Sequence, residues 1–174
     1  MRIPILLALS LVVCVPCITR AEEPQRVTVC ELLANPAAYN HSLIEISGSV
    51  SRGFEDFTLS DKDCHNRNMI WLDLGGTRGS RVMYCCGVTT NPKRPGPLHV
   101  DGVETTLVED KNLATFEKLT MPHRGYGKAR VTVIGRYFSG KEQKLPGGTY
   151  WMGYGHMGMA TLLVIQQVTD VRKE

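Results

Sequence analysis

Two short stretches far apart in the chain limit its fold more than anything else in it. In "LIEISGSV", residues 43–50, Ile44, Ile46, Gly48 and Val50 recur at period two, with Glu45, Ser47 and Ser49 between them. In "VTVIGRY", residues 131–137, Val131, Val133, Gly135 and Tyr137 repeat that layout position for position. Alternation of this kind describes a strand with one face buried and one in water. A glycine at mid-strand packs no side chain and marks a bend, a bulge or the close passage of another backbone. Two strands each bent at a glycine suit a small, strongly coiled barrel, whose corners need such kinks.

The remaining segments supply further elements. In "TVCELLANP", Thr28 and Glu31 have the spacing of a capping box, which starts a short helix that Pro36 ends through its effect on Asn35. About two turns of helix are not stable alone and must dock on something. "FTLSD", "MIWLDLGG", "RVMYCC" and "ATLLVIQQVTDV" read as strands, and "NLATFEKLT" as a helix with Leu113, Phe116 and Leu119 on one side. "TTNPKRPGP" and the long "SGKEQKLPGGTYWMGYGHMGM" read as loops, being rich in Pro or Gly. A chain of 174 residues holds one domain with a real core, and hardly two.

The short helix with "NP" and Tyr39, the strand "I-x-I-x-G-x-V", then "F-T-L-S-D", an apolar strand and a later "V-x-V-x-G" together resemble the OB-fold, a small Greek-key barrel. More narrowly they resemble small exported bacterial OB proteins of the tRNA-anti-like type. The resemblance covers residues 28–76 and 129–171. It implies a mostly β fold: a small OB-like barrel of five to six strands, an N-terminal helix, and a helix-bearing insertion between strands 3 and 4 at residues 77–128. It also implies a habit of binding, without naming a reaction.

The first 21 residues read as a secretory leader. Arg2 precedes an apolar run over residues 3–18, and Thr19 and Ala21 place small residues at a cleavage site. The run is shorter than the roughly 20 residues that span a bilayer, so no lasting membrane insertion is expected once it is removed. Residues 22–174 would then form a single domain in the periplasm, the cell envelope or the extracellular space. The formal charge of +3 falls to +1 without Arg2 and Arg20, which leaves no basic footprint for nucleic acid. Of six cysteines, Cys14 and Cys17 leave with the leader, and Cys30, Cys64, Cys85 and Cys86 remain as disulfide candidates. Adjacent Cys85 and Cys86 pair poorly with each other, so a bridge from Cys64 to one of them is expected.

"GYGHMG", residues 153–158, matches the dinucleotide pattern G-x-G-x-x-G. A phosphate cradle needs a buried strand before it and a helix after it, and here a β-branched strand follows. His156, Met157 and Met159, with Cys64, His65, Cys85 and Cys86, offer soft ligands for copper or zinc, although alternation separates His156 from its neighbouring methionines. In an OB barrel the loop between strands 4 and 5 is one wall of the binding face and the loop between strands 1 and 2 the other. That geometry nominates Tyr150, Trp151, Tyr154 and His156 on one wall and Arg52, Phe54 and Phe57 on the other. Asp61 and Asp63 read as turn residues rather than cation ligands. No catalytic motif is present, so the expected role is non-catalytic binding of a glycan, a peptide or a protein partner without a cofactor. A copper- or zinc-binding protein is the first alternative, and an enzyme lacking any recognisable motif the second.

Overall fold

The computed structural model describes residues 22–53, 55–64, 69–82, 93–121 and 127–174. The leader, Phe54, His65, Cys85 and Cys86, and all but the first two residues of "RVMYCC" lie outside them. Ten strands and two α-helices run in the order β1 (Gln25–Val27), α1 (Val29–Ala34), β2 (Leu43–Arg52), β3 (Phe57–Ser60), β4 (Met69–Leu74), β5 (Leu98–Val100), β6 (Val103–Thr105), α2 (Lys111–Thr120), β7 (Gly127–Phe138), β8 (Lys141–Leu145), β9 (Gly148–Met152) and β10 (Ala160–Lys173).

Five strands close into a barrel in the order β2, β3, β4, β10, β7 and back to β2. β4 and β10 run parallel, and every other pair in the ring is antiparallel. β1 is an extra strand, parallel to the first half of β2. This is the small OB-like barrel that the sequence implied, with α2 and the β5–β6 hairpin in the insertion between the third and fourth barrel strands.

The two glycine-centred stretches are direct neighbours, with Ile46 opposite Val133 and Ile44 opposite Gly135. Alternation holds along both strands: Ile44, Ile46, Gly48, Val50, Val131, Val133, Gly135 and Tyr137 are all buried. Each glycine marks a backbone approach that admits no side chain. A Cβ on Gly135 would stand 2.4 Å from the carbonyl oxygen of Val164, and one on Gly48 2.8 Å from that of Ser60.

The helices close the ends. Thr28 Oγ1 accepts from the amide of Glu31 while the Glu31 carboxylate accepts from the amide of Thr28, so the expected capping box is formed. α1 buries Val29, Leu32 and Leu33. Asp110 caps α2 through two amides, and Phe116 of that helix lies 6.2 Å from the ring of Phe57.

The glycine-rich segment 139–159 is a correction to the loop expectation, because residues 141–152 form a hairpin. Leu145 pairs with Gly148 across a two-residue Pro146-Gly147 turn, and Gly147 takes a positive φ of 105°. All ten residues of β8 and β9 are exposed on both faces. A strand with no buried face has no hydrophobic period, which is why alternation did not mark it.

Replacing Gly135 with Ala is expected to cost roughly 1–3 kcal/mol, because the methyl meets backbone that cannot rotate away. Gly96→Ala, where a Cβ meets nothing within 4 Å, is expected to change stability by less than about 0.5 kcal/mol. Urea unfolding midpoints of the two variants provide the comparison.

Candidate functional site

The two tryptophans of the chain explain Gly153 and Gly155 of "GYGHMG". A Cβ on Gly155 would stand 2.5 Å from the ring of buried Trp71, and one on Gly153 2.1 Å from the ring of Trp151. Gly140 meets Trp151 in the same way, at 2.8 Å. The loop therefore runs between two indoles, Trp71 buried on the outer face of β4 and Trp151 exposed on β9. Reciprocal bonds between Tyr154 and Ala160 pin its base, with N···O distances of 2.7 and 3.0 Å. Residues 156–158 form a single 3-10 turn and β10 follows at once, so no helix N-terminus faces this loop as a phosphate cradle would need.

Trp151 lies on glycine backbone and keeps 42% of its surface exposed. With Pro36, Met159 and Thr161 it lines a cleft of about 310 Å³. On the hairpin Leu145, Tyr150 and Met152 share the face opposite to Trp151, and with Met157 they are all exposed. Eight large hydrophobic side chains are exposed among the described residues, and six of them lie within residues 145–159. The exposed apolar side chains are thus concentrated in one short segment rather than scattered along the chain.

A polar group stands at the base of this loop. The Tyr154 hydroxyl donates to Asp101 Oδ2 at 2.9 Å, and His41 Nε2 lies 3.6 Å from the same oxygen. Phe138 supports the trio, 5.4 Å from the ring of His41 and 6.3 Å from that of Tyr154. His41 and Asp101 both adopt left-handed backbone, with φ of 63° and 48°. At Asp101, followed by Gly102 at 79°, this is the backbone that the two-residue β5–β6 turn requires. Burial first, then the bond to Asp101 and the charge of that carboxylate, push the Tyr154 phenol well above its ordinary range.

The residues nominated from sequence divide sharply. Tyr150, Trp151 and Tyr154 lie in β9 and the loop after it, with Tyr150 and Trp151 on opposite faces of the hairpin. His156 is half-buried, and its Nδ1 is buried with no hydrogen-bond partner. Arg52 and Phe57 are corrections, since both are buried at 3% and 0% exposure. β2 runs two residues beyond Val50, and the same parity that buries Ile44 through Val50 turns Arg52 inward. Its guanidinium lies 4.3 Å above the Phe57 ring and donates to the carbonyl of Ser80, and burial lowers its pKa to about 10. The register also separates the two expected walls. Arg52 is opposite Gly127 and Leu43 opposite Arg136, so the turn after Arg52 and the loop after Phe138 leave opposite ends of the β2–β7 pair.

Among the described residues no three His, Cys, Asp or Glu side chains converge as a metal set. Met157 and Met159 are exposed, and Cys30 and Cys64 are free thiols. Asp61 forms the expected turn, accepting from the amide of Asp63 at 3.1 Å.

Sequence reasoning missed His41 and Asp101. Asp101 did carry a signal, because "HVDGVE" places Asp-Gly between short alternating runs, the signature of a two-residue hairpin turn. His41 carried none, for its role arises only when the chain folds. No family model, curated protein or solved structure matches the chain.

Asp101→Asn is expected to bring the titration of Tyr154 down toward ordinary phenols, since it removes the carboxylate charge and leaves the burial. In the parent protein the neutral phenol contributes stability that is complete below the unfolded value near pH 10 and is lost as pH rises above it. Near-ultraviolet absorbance against pH, with Tyr154→Phe subtracted, reads both effects.

Proposed function

We propose that this protein is a non-catalytic binding module of the cell envelope that takes a peptide or protein partner on residues 145–159. The observation that carries the reading is the concentration of exposed Leu, Tyr, Trp and Met on one hairpin and its loop. Tyr, Trp and Met are the residue types enriched in protein interfaces, and methionine adapts to varied partners. Trp151, held flat on glycines, acts as the rigid anchor. The His41–Asp101–Tyr154 trio supplies polar contacts at the base and fixes orientation. The apolar leader and the near-neutral charge of residues 22–174 support export and argue against nucleic acid. The barrel topology agrees with membership of the exported OB proteins that the sequence resembles.

The test uses residues 22–174 and peptides selected against them from a random library. Binding is read by tryptophan fluorescence and titration calorimetry. Trp151→Ala is expected to weaken selected peptides about 30-fold or more, the loss typical of an anchoring aromatic. Peptides that bind Trp151→Ala as tightly as the parent overturn the assigned surface. Saturable binding of envelope oligosaccharides at Trp151, with no peptide selected, replaces the partner class with a glycan. Stoichiometric copper or zinc that is lost in His156→Ala replaces the reading with a soft-metal carrier.

A further inference from the structure

Among the described residues, β8 and β9 pair only with each other, so the hairpin leaves two strand edges without a neighbour. Its turn fixes which backbone groups those edges present. Leu145 and Gly148 flank a two-residue turn and are therefore a hydrogen-bonded pair, as are Gln143 with Tyr150 and Lys141 with Met152. The amides and carbonyls of the intervening Glu142 and Lys144 point away from β9 and meet no strand. Such groups are a template for pairing with another chain. The side chains of Glu142 and Lys144 share one face of the hairpin, one residue to each side of Gln143. Both residues are exposed, and neither forms an ion pair among the described residues.

We propose that the outer edge of β8 is a self-association edge, on which a second copy of this chain docks its own β8 antiparallel about a two-fold axis at Gln143. With Gln143 opposite its counterpart, Glu142 stands opposite Lys144 of the second copy, and Lys144 opposite Glu142 of the second copy. These are the residues whose backbone groups are free, so each of the two pairs can exchange both of its backbone hydrogen bonds. Side chains directly opposed on one face of a sheet touch, and opposite charges there attract. The neighbouring registers that also use the free backbone groups set Glu142 against Glu142 or Lys144 against Lys144, where like charges repel. Backbone geometry and charge complementarity thus select the same register. The outer edge of β9 offers no such pattern, because its free groups belong to Thr149 and Trp151. A two-fold axis makes the contact isologous and closes it at two copies. The Trp151 cleft, with Pro36, Met159 and Thr161, involves no residue of β8, so self-association does not rest on the partner reading above.

The test is sedimentation equilibrium of the protein purified from an exporting host, with thiols kept reduced so that no intermolecular disulfide contributes. The parent is expected to move from monomer toward twice the monomer mass as its concentration rises to about 1 mM. Glu142→Lys alone and Lys144→Glu alone set like charges opposite one another, and each is expected to weaken association about 10-fold or more. Both side chains are exposed, so these variants are expected to melt with the parent. The double variant, Glu142→Lys with Lys144→Glu, restores opposite charges and is expected to dimerise as the parent does. A mixture of the two single variants is complementary as well, and is expected to form a heterodimer where neither variant pairs with itself. Amide exchange at Glu142 and Lys144 is expected to slow as the dimer forms. A parent that stays monomeric throughout, single variants that associate as tightly as the parent, or a double variant as weak as the singles overturns the proposal. Association lost in Trp151→Ala but kept in both charge reversals also overturns it, and moves the contact to the cleft.

Discussion

Barrel closure depends on β2 bonding along both of its edges. One edge pairs with β7 over all ten of its residues, and the other is shared by β1 at its start and β3 at its end. A strand so committed has to bend steeply, and the bend requires backbone to pass close to backbone. Gly48 and Gly135 are where that happens. Every later feature follows from this closure. It brings the end of β7 beside the turn at His41, starts β10 beside Met69 of β4, and leaves an open mouth for α2 to fill with Leu113 and Phe116.

The fold was legible in the sequence wherever one face of a segment is buried. Ile44 through Val50 and Val131 through Tyr137 announced their strands because the core enforces period two. Thr28 and Glu31 announced α1 because a helix start leaves amides that only a few side chains can satisfy. β8 and β9 left no such trace, since Lys141 to Leu145 and Gly148 to Met152 face water on both sides. Arg52 was misplaced for the opposite reason. A charged residue beyond the last aliphatic looks like the start of a loop, yet its even parity with Ile44 already put it inside.

The candidate site was legible by half. Tyr150, Trp151 and Tyr154 are neighbours in sequence, and aromatic residues among glycines are visible at once. His41 and Asp101 lie 113 and 53 residues from Tyr154 and join it only through the barrel register and the β5–β6 turn. The glycines of 153–158 had the spacing of a nucleotide loop for other reasons: indole rings occupy the space that side chains at Gly153 and Gly155 would need, and Gly158 takes a positive φ of 65°.

The β8–β9 hairpin buries none of its residues, and neither of its strands joins the barrel sheet. Its amides on the two outer edges have no strand beside them, so they exchange with solvent by local opening rather than by global unfolding. Much of the proposed contact surface is thus carried on a hairpin whose side chains hardly enter the stability of the domain. Substitutions there can retune what the surface recognises without drawing on the margin that keeps the barrel folded. The residues of the proposed surface on this hairpin and the residues of the stable core are therefore separate sets.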